Sequence, residues 1–179
     1  MILKTSCGAI TKRIRRAFIH LPHVDEALRR LTELFDEDWT GVDAEHIMIL
    51  GETGTGKSTL LKHFAESHPR LRHAEFTEIP VLYVPVPPQC TIGKLAKAML
   101  RALGSPTWNK GDESDLTVQV LTLLASCRVR LVILDEVNHL VDRGKATTHY
   151  AVGDWIKAVF SEAGMPCVLA GIPRTRSLL

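Results

Sequence analysis

Residues 46–58 read HIMILGETGTGKS. Four apolar residues follow His46, the signature of a short strand buried on both faces. The octet GETGTGKS at 51–58 then matches G-x-x-x-x-G-K-[S/T], and an amphipathic segment over 57–66 predicts a helix. A strand, a glycine-rich turn and a helix in that order build a phosphate cradle. Gly51, Gly54 and Gly56 let the backbone curl until its N–H groups face phosphate oxygens. Glu52, Thr53 and Thr55 complete the loop, and the helix behind it adds its positive end. Lys57 supplies a charge for the β- and γ-phosphates. The Ser58 hydroxyl suits magnesium, and Thr59 is placed beside the α-phosphate. The expected ligands are therefore ATP and Mg2+.

Residues 131–136, LVILDE, give the other half of such a site. Four apolar residues put Asp135 at the exposed end of a strand, where it can hold the metal directly or through water. Glu136 then faces the water lined up against the γ-phosphate, and a carboxylate there can orient that water and accept its proton. An adjacent acid pair of this kind favours an ATP hydrolase over a small-molecule kinase, which has no use for a water activator. Lys57, Asp135 and Glu136 are the catalytic candidates. Asn138 and His139 follow at once. Either could bond Glu136 or the γ-phosphate, and a polar loop with a helix cap reads the same way.

The rest of the chain repeats the pattern. Apolar runs at 46–50, 81–86, 131–134 and 167–172 predict strands. Helices are predicted at 24–35, 57–66, 92–103, 116–126 and 149–163, with Gly104 and Gly164 at two of the stops. Alternating helices and uninterrupted apolar strands imply a parallel sheet covered on both faces, a three-layer α/β/α domain. The last strand runs into Pro173-Arg174-Thr175-Arg176, so Thr175 and Arg174 are candidates to sense the γ-phosphate. His20 and His23 are candidates to flank an adenine ring.

Composition sets outer bounds. The 179 residues suffice for one domain with a substantial core. At 45% hydrophobic and 23% charged the chain is globular, and a net charge of +2 permits nucleic-acid contact without demanding it. No stretch approaches the roughly 18 apolar residues needed to span a bilayer. Residues 1–18 form a basic arm that carries Lys4, Lys12, Arg13, Arg15 and Arg16. Its charges follow its short apolar run, the wrong order for a secretory signal. Cys7, Cys90, Cys127 and Cys167 are scattered, which suits reduced thiols in the cytoplasm and proposes no zinc site.

With GETGTGKS, LVILDE and the further strand PCVLAGI, the chain resembles the AAA+ ATPases. The opening IHLPHVDEALRRL, the strand VLYVPVPP, LDEVNHL and the ending LAGIPRTRSLL resemble more closely the TniB/TnsC-type regulators of DNA transposition. The resemblance runs from about Ile19 and makes 19–179 an AAA+ core. It implies a P-loop NTPase that forms homo-oligomers, ring or filament, on double-stranded DNA with ATP. Such a protein recruits a transposase and a targeting protein, and hydrolysis disassembles the assembly. The resemblance also places DNA contacts just after the second strand, here Thr91, Lys94, Lys97, Arg101 and Lys110. Lys94, Lys97 and Arg101 lie three and four apart on one helix face, a stripe suited to a phosphate backbone, though a solvated helix face carries the same pattern. Trp108 beside them suits contact with a partner or DNA, and equally a buried loop anchor.

An AAA+ core has a fifth strand and a helical lid. Neither is found before Leu179, and a fragment of a longer protein is expected. Arg174 or Arg176 could then act on a neighbour's γ-phosphate. A helicase loader of DNA replication shares the same motifs, as does a nucleotide-gated protein-remodelling module without DNA. A P-loop kinase for a small metabolite is a more distant alternative.

Overall fold

The computed structural model describes residues 21–140 and 146–178; the basic arm at 1–18 and His20 lie outside the described residues. Helix α1 (Pro22–Asp36) opens with proline, whose missing N–H costs nothing in a first turn, and buries Leu31, Leu34 and Phe35. Then come β1 (Ile47–Leu50), α2 (Lys57–Ser67), a short antiparallel pair β2 (Leu71–Arg72) and β3 (Thr77–Glu78), and β4 (Val81–Pro85). Helices α3 (Ile92–Leu103) and α4 (Glu113–Ser126) lead to β5 (Leu131–Asp135) and a 3-10 turn (Val137–Leu140). Helix α5 (Ala146–Ala163), β6 (Cys167–Gly171) and a second 3-10 segment (Pro173–Leu178) complete the described chain.

Four strands pair in the order β1-β6-β5-β4, every pair parallel. Alternation along the strands divides the core into two layers. Val81, Leu131, Ile133, Val168 and Ala170 face α1 and α2, where Leu31, Leu34, Leu61 and Phe64 meet them. Leu82, Val84, Val132, Leu134 and Cys167 face the other way, onto Leu95, Met99, Leu100, Leu116, Val120, Val159 and Phe160 of α3, α4 and α5. The expected three-layer α/β/α sandwich is therefore present. All five residues of β5 are buried, which is why that strand reads as an unbroken apolar run up to its aspartate.

The helix ends follow local chemistry. Thr91 caps α3 by accepting from the Lys94 amide, and Gly104 closes it at φ +85°, a left-handed conformation in which glycine pays no Cβ penalty. Helix α4 starts three residues before the predicted 116, because Asp112 and Asp115 form a reciprocal capping box ahead of the apolar periodicity. The β2–β3 pair was not expected from sequence. Its strands are two residues long, and β2 is exposed on both positions, so no apolar pattern marks it.

One histidine ties the start of the sheet. The Cys167 amide donates to His46 Nδ1 at 3.1 Å, across 121 residues. That nitrogen must therefore be the unprotonated one. The His46 ring packs near Phe160 (centroids 6.4 Å apart), and partial burial pushes its pKa below the usual value. The sign follows from linkage. As pH falls below about 6.5 the unfolded chain takes up a proton that the folded chain resists, so stability falls. Thermal melts at pH 7.5 and 5.5 should show a loss at the lower pH that is smaller in His46→Asn, whose amide oxygen keeps an acceptor without titrating.

Candidate nucleotide site

The loop after β1 is shaped by its own atoms. Gly54 and Gly56 lie at φ +83° and +88°, a region that disfavours any side chain. Lys57 Nζ folds over the loop and donates to the carbonyls of Gly51 (2.7 Å) and Glu52 (2.9 Å). The Thr55 hydroxyl donates to Glu52 O at 2.8 Å. Gly51 N donates to Gly171 O at 3.2 Å, which fastens the loop to the end of β6. Helix α2 begins at Lys57 behind Gly56, with no side-chain cap and no acid in its first turn, so its first amides are free to meet an anion.

A cleft of about 210 Å³ lies over this helix end, lined by Thr53, Gly54, Gly56, Lys57, Ser58, Thr59, Asp135, Glu136, Asn138, Gly171 and Ile172. The structure thus gathers the loop and the acid pair, some 80 residues apart in sequence, around one space. Gly51, Glu52 and Thr55 shape the loop from outside the lining. A larger groove, about 760 Å³, runs along the loop between α3 and α4. Its buried polar centre is spent internally: Gln119 Oε1 accepts from both Ser105 and Thr107. The smaller cleft is therefore the better candidate on chemistry.

The two acids sit in different surroundings. Asp135 is 2% exposed, and each carboxylate oxygen already accepts one bond: Oδ1 from the Glu136 amide at 2.9 Å, Oδ2 from the Tyr83 hydroxyl at 2.5 Å. Burial first, and then the bond to Asp135, push the Tyr83 phenol well above its ordinary pKa, so it stays a donor. Tyr83 was absent from the sequence-based candidates; its partner is set by strand register, which no single-sequence pattern displays. Glu136 is exposed and adopts φ +61°, left-handed backbone that costs a non-glycine residue on the order of 1 kcal/mol and recurs at functional sites. Ser58 and Asp135 offer a hydroxyl and a carboxylate to the same cleft, the hard oxygen donors magnesium prefers.

Other candidates part company. Asn138 lines the cleft, whereas His139 turns away and donates from Nδ1 to Val86 O at 2.7 Å. Thr175 is fully buried and donates to Ile172 O at 2.6 Å, so the structure does not bring this candidate to the cleft lining. A Cβ on Gly171 would stand 2.7 Å from Thr175 Oγ1; glycine is what lets that side chain fold inward. Arg174 is exposed and also outside the lining, as is His23 on the first turn of α1. The DNA-contact candidates form a separate group. Thr91 caps α3, Lys94 Nζ donates to Gln89 O at 3.0 Å, and Arg101 lies over the Trp108 ring at 5.5 Å. Lys97 is half-buried, Lys110 is exposed, and Trp108 is a partly buried anchor against the core.

This fold and this cleft are those of a P-loop nucleotide-binding domain of AAA+ architecture. The family model described as bacterial TniB protein matches residues 10–179, and the chain belongs to that family. Among curated proteins it is 25% identical over 139 residues to the ORC1-type DNA replication protein 2 of Saccharolobus solfataricus, covering 73% of this chain and 33% of that one. Among solved structures it is similar to the Aeropyrum pernix ORC1 protein in complex with DNA, at 22% identity and TM-score 0.61, over 89% of this chain and 42% of that one. AMPPCP-bound DnaA from Aquifex aeolicus matches at 21% identity and TM-score 0.50, over 90% and 42%. The chain spans less than half the length of these relatives. Among the described residues, no helix is long and apolar enough to cross a membrane.

Among the described residues, Lys57 is the cation that lines the cleft. Charge-assisted hydrogen bonds contribute about 1.5–3 kcal/mol each, so Lys57→Ala should weaken ATP binding by roughly 10- to 100-fold or more. Calorimetric titration with ATP would detect that loss.

Proposed function

We propose that this protein is an ATP-dependent, DNA-binding regulator of transposition. The observation that carries the proposal is the convergence of Lys57, Ser58, Asp135 and Glu136 on one cleft in a chain of the TniB family. ATP seats its phosphates on the loop amides and Lys57. Ser58 and Asp135 would hold magnesium, which would supply charge neutralisation at the phosphates. Glu136 orients a water in line with the γ-phosphorus. As the new P–O bond forms and the bond to the β-phosphate breaks, the water's proton passes to Glu136. Asn138, which lines the cleft, is the candidate to monitor the γ-phosphate.

ATP closes an interface between copies of the chain. The homo-oligomer then follows the backbone of double-stranded DNA through Thr91, Lys94, Lys97, Arg101 and Lys110. It recruits a transposase and a targeting protein, and hydrolysis releases it. The cytoplasm is the expected compartment. Replication is the second reading, favoured by the fold shared with ORC1 and DnaA. There the partner would be a helicase and the DNA single-stranded.

Glu136→Gln should keep ATP binding and lower phosphate release by roughly 10²- to 10⁴-fold, the usual range for a lost general base. Equal turnover in both proteins would refute the assigned role. Anisotropy of labelled DNA tests the remainder. Binding to double-stranded DNA should require a slowly hydrolysed ATP analogue and weaken steeply with salt. Replacing Lys94 and Arg101 together by alanine should make that salt slope shallower. Preference for single strands would move the assignment to replication. No DNA binding by a chain that binds ATP would leave a protein-remodelling role.

A further inference from the structure

Strand register puts Tyr83 within reach of the metal-holding carboxylate. Tyr83 on β4 pairs with Ile133 on β5, and Asp135 lies two residues further along β5. Residues two apart share a face, so Tyr83 and Asp135 are diagonal neighbours on the side of the sheet that α2 covers. That diagonal is about 7–8 Å between backbones, a span a long aromatic side chain can bridge. Tyrosine bridges it here with a 2.5 Å hydrogen bond to Oδ2. On its other side the ring meets the helix behind the phosphate loop, with Lys62 Nζ 5.7 Å from its centroid.

The two donors to Asp135 come from different parts of the chain. The Glu136 amide belongs to the next residue and travels with it. The Tyr83 hydroxyl comes from a neighbouring strand 52 residues away. One local and one remote donor, each on a different oxygen, fix the carboxylate's torsion. Each oxygen keeps a second lone pair for a further partner. A phenylalanine at 83 would fill nearly the same space and leave Oδ2 of a 2% exposed carboxylate without this donor.

We propose that Tyr83 is a positioning residue of the magnesium site, holding Asp135 in the orientation that receives the metal with the nucleotide. The inference rests on the ATP and magnesium reading above and adds a residue to it. Outer-shell partners of metal ligands typically contribute 10- to 100-fold in metal affinity. The loss in Tyr83→Phe therefore falls on the metal-dependent part of nucleotide binding and leaves the loop's own grip on the phosphates.

The test is a magnesium titration of a fluorescent ATP analogue bound to the full chain, with a parallel series in EDTA. Wild type, Tyr83→Phe, Asp135→Asn and the double variant are compared. In Tyr83→Phe the magnesium concentration for half-maximal effect should rise by roughly 10- to 100-fold. Affinity in EDTA should stay within about 2-fold, since the phosphate-loop contacts are untouched. In the Asp135→Asn background the same substitution should have no further effect on the magnesium midpoint. An unchanged midpoint overturns the proposal, as does an equal loss with and without magnesium.

A wild type that binds the analogue without magnesium dependence overturns the metal reading itself, and the inference with it. Should Tyr83→Phe not fold, the wild type still decides. The sequence has two tyrosines. With Tyr150→Phe to assign them, the Tyr83 ¹³Cζ resonance should move when magnesium is added to the nucleotide complex. No movement overturns the proposal.

Discussion

Parallel pairing of four strands is the constraint on which the site depends. In a parallel ladder every strand ends on the same edge, so whatever follows each strand is gathered there. At that edge, among the described residues, the ladder extends past the strand ends at two places. Gly51 N donates to Gly171 O, and Val86 N donates to Asp135 O at 2.8 Å. The first bond joins the phosphate loop to the end of β6. The second joins the acid pair to the chain that leaves β4. The cleft is then a consequence of register, and its residues need no contact in sequence.

At that edge two neighbouring carboxylates are driven apart in character. Asp135 is the last residue of a strand buried along its whole length, and it survives there because two donors meet its two oxygens. Glu136 is pushed into solvent-facing, left-handed backbone, where the 3-10 turn begins and the His139 amide donates to its carbonyl at 3.0 Å. A fixed, desolvated acid suits a metal partner, and an exposed one suits proton exchange with water. One strand end supplies both environments, which is how two adjacent acids can take different roles.

Much of this was legible in the sequence, for reasons that also explain what was not. The runs at 131–134 and 81–86 declared buried strands because both sheet faces are covered, and the glycine spacing at 51–56 declared a loop whose backbone can curl around phosphate. Sequence could not show Tyr83 against Asp135, because that pair depends on which residues lie opposite across β4 and β5. It could not show that Thr175 turns inward, because the direction of a side chain after a strand is set by the turn at Pro173 and by the space above Gly171. Helix α4 was read short because its first turn is held by Asp112 and Asp115, and charges carry no hydrophobic period. In each case the missed feature is a tertiary or capping contact, and the found feature is a burial pattern.

The proposed nucleotide-controlled grip on DNA would need a physical route from the cleft to α3, and Val86 is bonded to the segment that carries the acid pair. Val86 stands just past β4, five residues before the Thr91 cap. Its amide donates to Asp135 O, and its carbonyl accepts from His139 Nδ1 at 2.7 Å. The segment that carries the acid pair and Asn138 is thus bonded at both ends to the chain entering α3. Any displacement of residues 135–139 would strain both bonds at once or carry Val86 with it. The cations beyond each have a partner within the chain, Lys94 in Gln89 O and Arg101 in the Trp108 ring. His139, which sequence offered beside Asn138 as a contact for Glu136 or the γ-phosphate, here bonds the chain that leads into α3.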